Sequence, residues 1–210
     1  MAIDDLLDEH EQGEKVRTWL RENGAGLIGG VALGLALIGG WQWWQKQQGS
    51  KQVAASEHYQ AALKAIEARD LKQAVPKVAA LHGVYATLAA LDLAKAQLGA
   101  GQRDAAIAAL RNVKAGDPAL AAVVQQRLAR LLIDAGKADQ ALTLLPSTGT
   151  DANTLEIRGD AQSALGHRDL ARSDYSHALT QLEIGSPQRR LLELKLSDAG
   201  GAPAKPEAKS

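Results

Sequence analysis

The sequence predicts an all-α protein in which a single N-terminal transmembrane helix precedes a solenoid of helical hairpins. Three observations carry this prediction: an uncharged apolar run near the N-terminus, an alanine-rich sequence after it with aliphatic residues three and four apart, and regularly recurring glycines. Aliphatic residues at those intervals line one face of an α-helix, whereas a half-buried strand alternates strictly. We therefore expect helices throughout the chain.

The uncharged run covers residues 23–45 and predicts the membrane span. All four tryptophans lie at its edges, with Trp19 before it and Trp41, Trp43 and Trp44 at its end. A hydrocarbon core of about 30 Å needs roughly 20 apolar residues of helix, and tryptophan concentrates at the two membrane surfaces. The residues after the run therefore form a domain tethered to a membrane.

Two other interpretations of the run are less favourable. A cleavable signal peptide has a basic start and a small-residue cleavage site, whereas this chain has an acidic start and the run ends in tryptophans. The acidic residues of the start include Asp4, Asp5, Asp8, Glu9, Glu11 and Glu14. A buried helix of a soluble protein rarely gathers every tryptophan at its two ends. The pattern favours an uncleaved anchor.

Charge near the span gives a weak indication of its orientation. Lys15, Arg17 and Arg21 precede the run, against Lys46 and Lys51 after it. Because positive residues are retained in the cytoplasm, this small excess favours a cytoplasmic N-terminus and an exported C-terminal domain.

The chain then divides into four segments. Residues 1–22 form a cytoplasmic segment with the pattern of a short amphipathic helix, and residues 23–45 form the span. Residues 50–197 form the exported helical domain, which ends in a capping helix over residues 188–197. The remaining tail, 198–210, is rich in Ala, Gly, Pro and Lys, a composition typical of disorder.

Three glycines within the span predict a contact surface for another membrane helix. Gly26, Gly30 and Gly34 are four residues apart and therefore lie on one helix face. Small residues at this spacing let a second helix approach closely, although glycine is also common in membrane helices for other reasons. The partner of this face is either another protein or a second copy of the chain.

The sequence after the anchor shows a repeated helical-hairpin pattern when Gly101, Gly136 and Gly166 are aligned as the glycine of the inner turn. Each unit then has a small residue on its first helix, an alanine five residues after the glycine, and a large residue four further on. These positions are Ala94, Ala129 and Gly159; Ala106, Ala141 and Ala171; and Leu110, Leu145 and Tyr175. The period of about 34 residues, with Pro118 closing the first unit, is that of the tetratricopeptide repeat.

Stacking explains why such units recur. A small residue on each helix lets the two helices of a hairpin cross closely, and a hairpin covers its apolar face only against the next one. A degenerate earlier unit fits the same scheme, with Ala74, Val78 and Leu81 on its second helix.

Composition argues against most kinds of chemistry. The chain has 24 basic and 24 acidic residues, so no basic excess favours nucleic acid, and it has no cysteine for disulfides or thiol catalysis. His167, Asp169, Asp174 and His177 form the one cluster that suggests a metal or catalytic site, but the two histidines do not share a helix face. We expect a non-enzyme without cofactor or metal. An enzyme that uses His167 and His177 is the rival hypothesis.

A helical solenoid offers instead a concave surface lined by the first helix of each hairpin. The sides of these helices that face away from the packed positions predict a groove for polypeptide segments. The predicted groove residues are Leu91, Lys95, Leu98, Gln126, Arg130, Glu156 and Asp160. The alternative for each of them is an ordinary solvated face.

Taken together, these parts resemble the YfgM family, the ancillary subunits of the bacterial Sec translocon. The resemblance covers nearly the whole chain apart from the tail. It is carried by Trp19-Leu20-Arg21-Glu22-Asn23-Gly24 before the glycine-rich span, by residues 85–94 (YATLAALDLA), by Leu128-Ala129-Arg130 and by Arg158-Gly159-Asp160.

The resemblance implies a single-pass inner-membrane protein with its N-terminus in the cytoplasm and a periplasmic tetratricopeptide-repeat-like domain. It implies association with the channel subunits, cooperation with a membrane-anchored periplasmic chaperone of the prolyl-isomerase-like type, and contact with exported client proteins. A role as a scaffold or regulator of envelope stress signalling, which binds a folded partner, is the alternative. The family has no catalytic residues to transfer to this chain.

Overall fold

A computed structural model describes residues 2–146 and 151–202 of the chain. Within these residues it has nine α-helices and no strand, which confirms the predicted fold class. The helices are α1 (Ala2–Glu67), α2 (Leu71–Ala79), α3 (Gly83–Gly99), α4 (Arg103–Arg111), α5 (Pro118–Asp134), α6 (Ala138–Leu144), α7 (Ala152–Ala164), α8 (Arg168–Gln181) and α9 (Pro187–Asp198). Side chains are described for residues 13–47, 52–146 and 151–202. The chain forms two units, which meet between Ala54 and Ala55.

The first unit consists of helix α1 up to Ala54. The predicted boundary between an amphipathic segment and the span, near Asn23, is not marked by a break, because the helix continues through it. The most apolar 18-residue window has a mean hydropathy of 1.7, contains no buried residue and is long enough to cross a membrane. Trp41 and Trp44 lie one turn apart, with ring centroids 5.5 Å from each other.

The second unit is a series of helical hairpins closed by a final helix. The last turns of α1 pair with α2, and α3 with α4, α5 with α6 and α7 with α8 follow, before α9 packs on α8. The aligned positions of the three predicted hairpins are all buried, which confirms their register. Ala106, Ala129, Ala141 and Ala171 are completely inaccessible. Small side chains at these crossings allow the close helix packing that the repeat needs.

The first helix of each hairpin, and α9, end in the same way. Gly101, Gly136, Gly166 and Gly200 follow α3, α5, α7 and α9 with φ values of 71 to 84°. In each turn the glycine N–H and the next N–H donate to carbonyls of the preceding last turn, so orphan carbonyls are satisfied. Arg69 occupies this position after α1 with a φ of 55°. It is the non-glycine member of the series, in a conformation that costs other residues energy.

Aspartates begin three of the helices. Asp70, Asp117 and Asp151 each accept a hydrogen bond from a backbone N–H three residues on, at 3.2, 2.9 and 2.9 Å. A carboxylate at this position satisfies an orphan donor and favours the positive end of the helix dipole.

Two details of the sequence interpretation need correction. Helix α2 ends at Ala79, so Leu81 lies beyond it in the turn before α3, where it is nevertheless buried in the core. The described chain continues in order past residue 197: α9 ends at Asp198, Ala199 is 7% exposed, and the Gly201 N–H donates to the Leu196 carbonyl at 2.9 Å. The rest of the predicted disordered tail, 203–210, lies outside the described residues.

Candidate functional site

The glycine face of α1 is the first candidate surface. A Cβ atom placed on Gly26, Gly30 or Gly34 meets no atom within 4 Å, so this face of the first unit is open. Four-residue spacing stacks the three glycines along the helix. The face therefore has the shape that close helix packing in a membrane requires.

The second candidate is a cavity of about 410 Å³ between α3 and α5, which we call the basic groove. Four of the seven predicted groove residues line it: Leu91, Lys95, Leu98 and Arg130. They share it with residues that were not predicted to line the groove, namely Asp92, Ala94, Leu110, Val123, Arg127 and Leu131. The structure thus brings the α3 residues and one α5 residue of the prediction into one site.

A second cavity of about 590 Å³ between the end of α1 and α3 shares two lining residues with the basic groove. Asp92 and Lys95 line both cavities. Leu63, Ile66 and Leu71 supply apolar wall to the second one. Both volumes lie in the range of about 300 to 1,000 Å³ that is usual for ligand sites.

Gln126 does not join this surface, contrary to expectation. Its side chain is half-buried, and its Nε2 donates to Thr154 Oγ1 at 3.0 Å and to Asp151 Oδ1 at 3.2 Å. Gln126 therefore ties α5 to the first turn of α7. One residue along a helix turns the side chain by about 100°, so Arg127 takes the groove position instead.

Glu156 and Asp160 also turn away from the predicted groove, because they bind a lysine of the final helix. Lys195 Nζ lies 2.6 Å from Glu156 Oε1 and 2.8 Å from Asp160 Oδ2. Burial alone would lower the pKa of the Lys195 ammonium, but hydrogen bonds and the charges of the two carboxylates raise it overall. The three side chains join α9 to α7.

Tyr175 extends this network into the core. It is 3% exposed, and its hydroxyl donates to Asp160 Oδ1 at 2.9 Å. Burial, followed by the Asp160 charge, raises the pKa of Tyr175. Asp160 thereby accepts from both α8 and α9, so the predicted groove carboxylates act structurally in this fold.

Three of the four residues of the rival enzyme hypothesis have polar partners outside that cluster. His167 Nδ1 lies 2.9 Å from Gln162 Oε1, and Asp169 pairs with Arg172 at 2.7 Å. Asp174 lies 3.7 Å from Arg158, and burial raises its pKa although Arg158 and His177 oppose this. Within the described part of the chain, no three His, Asp or Glu side chains are placed to hold a metal ion.

A further cavity of about 660 Å³ lies between α2, α3 and α4. Its walls are mainly alanine and valine, and Gln97 lines it. The Gln97 side chain is 4% exposed, and its Oε1 has no hydrogen-bond partner among the described residues. A buried acceptor without a donor costs about 1 to 3 kcal/mol.

Comparison with known proteins decides the family. The family model for a tetratricopeptide repeat-like domain matches residues 17–201. Over 199 residues the chain is 31% identical to the ancillary SecYEG translocon subunit of Escherichia coli (strain K12), covering 91% of this chain and 96% of that protein. The chain belongs to the ancillary SecYEG translocon subunit family. This confirms the resemblance that the sequence motifs indicate.

Other members of the family match over the same extent. The proteins of the same name from Aggregatibacter actinomycetemcomitans and Haemophilus influenzae (strain ATCC 51907 / DSM 11121 / KW20 / Rd) are 28% and 25% identical. Each alignment covers 91% of this chain and 98% of the relative. The family match begins at residue 17, before the apolar run, so it includes the candidate span as well as the hairpins.

Arg127 is the groove residue of this family member that the sequence interpretation missed. A usable signal existed, because Val123, Arg127 and Arg130 follow the four- and three-residue spacing of one helix face. Choosing Gln126 rotated the predicted face by one position.

Proposed function

We propose that this chain is a single-pass inner-membrane protein that works as a non-catalytic adaptor beside the Sec translocon. In this proposal residues 1–22 lie in the cytoplasm, 23–45 span the membrane and 50–197 form the periplasmic domain. The observation that carries it is the coverage of the relatives named as SecYEG translocon subunits, which align over 96 to 98% of their own lengths. The apolar helix and the hairpins are therefore shared together.

Tethering explains how weak contacts become sufficient. A module held beside its partner meets it at an effective concentration in the millimolar range when the connection is short. The span would hold the hairpin domain where exported chains emerge. A high intrinsic affinity for those chains is then unnecessary.

Each candidate surface has a partner in this proposal. The face of Gly26, Gly30 and Gly34 contacts the channel subunits within the membrane, since close helix packing needs small residues. The basic groove contacts polypeptides outside it: exported client chains and a membrane-anchored periplasmic prolyl-isomerase-like chaperone. Apolar walls provide affinity for such segments and charges fix their register.

Photo-crosslinking from both surfaces tests the proposal. A crosslinking amino acid at Gly30 is expected to capture channel subunits, whereas the same group at Ile28, about 200° around the helix, serves as the control. At Lys95 it is expected to capture translocating chains or the chaperone, with exposed Arg168 on α8 as control.

The outcomes separate the adaptor from its rivals. Capture of one folded partner at Lys95, without channel or client, would establish the scaffold or stress-signalling role instead. No channel subunit at Gly30 or elsewhere on the span would contradict placement beside the translocon. A His167→Ala/His177→Ala variant that keeps all cellular phenotypes would rule out the enzyme hypothesis.

A further inference from the structure

We propose that the basic groove binds a polypeptide segment in which acidic and apolar side chains alternate. This inference rests on the proposed function as a polypeptide-binding adaptor, and it adds the chemistry of the bound segment. Two features of the groove carry it: an apolar wall that stays partly exposed, and three positive charges around that wall.

The apolar part of the site comes from both walls. Leu98 of α3 and Val123 of α5 are 38% and 39% exposed, although each lies beside a buried core. Leu91 contributes further apolar surface and is partly buried. Two or more aliphatic side chains of a partner would remove this surface from water, which favours binding by about 25 cal/mol per Å².

The charges determine which partner fits. Lys95, Arg127 and Arg130 line the groove, and all three are exposed. In the described ranges none of them forms an ion pair. Asp92 is the one acidic residue in the lining, so the three cations exceed it by two.

Some other cations of the same domain are paired with carboxylates. Lys137, Arg158 and Lys195 each lie within 4 Å of a carboxylate. The basic groove differs from these positions because three cations without an ion pair in the described ranges lie together around one apolar cleft. Carboxylates complement this charge, and the arginine guanidinium groups can bind them in a two-pronged manner.

The shared lining of the two cavities indicates a segment and not a single side chain. Asp92 and Lys95 line both cavities, and Leu63 and Ile66 supply apolar wall to the second one. Arg69 adds a further positive residue there, opposed by Glu67. A segment with carboxylates between its apolar residues can thus contact the linings of both cavities.

Peptide binding to the full-length chain tests the inference. The protein is placed in nanodiscs of zwitterionic phosphatidylcholine. Three fluorescein-labelled peptides of about twelve residues, a length on the order of that of the groove, are then titrated by fluorescence anisotropy. All three peptides contain the same leucines, which alternate with glutamate, glutamine or lysine. The glutamate peptide is expected to bind most tightly, the glutamine peptide less tightly and the lysine peptide least. Added salt should reduce the difference in affinity between the glutamate and glutamine peptides.

Charge removal provides the matched comparison. The variant Lys95→Gln/Arg127→Gln/Arg130→Gln is expected to weaken the glutamate peptide about tenfold, since each exposed ion pair contributes a few-fold. The control Lys72→Gln/Arg168→Gln/Arg190→Gln removes the same three charges at exposed sites outside the groove and should leave affinity within about twofold. All six positions are exposed, so both variants are expected to fold.

Three results would overturn the inference. They are equal binding of the glutamine and glutamate peptides, equal loss in both triple variants, and groove-dependent binding to anionic vesicles without any peptide preference. The last result would mean that the cations serve a lipid surface. Crosslinking from Gly30 is independent of these measurements. If no peptide preference is found, the proposed placement beside the translocon is unaffected. If crosslinking from Gly30 fails, the peptide preference of the groove is still measured.

Discussion

Replacement of Gly159 by alanine should destabilise the hairpin domain, although alanine is the better helix former. Gly159 lies buried in α7 against the ring of Tyr175 in α8. A Cβ atom at this position would lie only 2.4 Å from Cε1, 2.6 Å from Cδ1 and 3.0 Å from Cζ of that ring. Carbon atoms normally approach to about 3.5 to 4.0 Å, so the ring has to retreat by about 1 Å.

Tyr175 has little freedom to retreat. Its side chain is 3% exposed, and its hydroxyl is held by Asp160, which also binds Lys195. Overpacking of this kind costs about 1 to 3 kcal/mol, while the gain in helix propensity returns roughly 0.5 to 1 kcal/mol. The midpoints of these two ranges give a net loss of about 1 kcal/mol, or a fall in Tm of about 2 to 4 °C.

Urea unfolding of the full chain in nanodiscs, followed by circular dichroism at 222 nm, measures this loss. Gly99→Ala is the matched control, because Gly99 ends α3 and a Cβ atom there meets nothing within 4 Å. That variant should be as stable as the parent or slightly more stable. A Tyr175→Leu background should abolish most of the cost of Gly159→Ala.

Two results would refute this reasoning. One is a Gly159→Ala variant that unfolds at the same urea concentration as the parent or at a higher one. The other is an equal cost in the parent and in the Tyr175→Leu background, which would show that the ring is not the cause.

Three further substitutions test other parts of the domain by the same unfolding assay. Arg69→Gly should stabilise it by about 1 kcal/mol, because glycine adopts the left-handed conformation without the cost to arginine, and unchanged stability would contradict this. Gln97→Leu should raise stability by about 1 kcal/mol by removing a buried acceptor without a donor, whereas a loss would indicate an unrecognised partner. Lys195→Met should lower stability at pH 7. The same variant should also flatten the decline in the free energy of unfolding above pH 10.5, by up to about 1.4 kcal/mol per pH unit. The reason is that the raised pKa of Lys195 makes the folded state hold its proton more strongly than the unfolded state does.

The sign of the last effect follows from proton binding. The ordinary pKa of lysine is 10.5, and the pKa of Lys195 is raised above it in the folded chain. Its contribution is complete below the ordinary value and is lost as the pH rises through the folded value. Tyr175 adds to the same alkaline loss, because its pKa is raised as well. An unchanged alkaline slope in Lys195→Met would contradict the assignment.

Much of the fold was predictable because one local signal recurs at each turn. Gly101, Gly136 and Gly166 mark helix ends that only a left-handed residue closes comfortably, and they set the register of three hairpins. The first hairpin has Arg69 in that role, so its register was visible only as a degenerate unit. Gly200 carried the same signal, but the tail composition obscured it.

The groove was less predictable, because it depends on which face each helix turns toward its neighbours. The predicted α3 residues line one cavity, because the buried Leu93 and Ala94 fix the packed side of that helix. On α5 an error of one residue replaced Arg127 by Gln126. On α7 the deciding partner was Lys195, some 35 residues away in sequence, which no local pattern reveals.

The distribution of paired and unpaired charge along the domain separates structure from recognition. Toward the C-terminal end, the carboxylates of α7 bind Lys195 and Tyr175, and these contacts hold α9 against the domain. On α3 and α5 the cations have no such partner in the described chain, and the apolar wall between them is open. We propose on these grounds that the N-terminal hairpins form the recognition end of the domain, while Lys195 joins the C-terminal hairpin to α9.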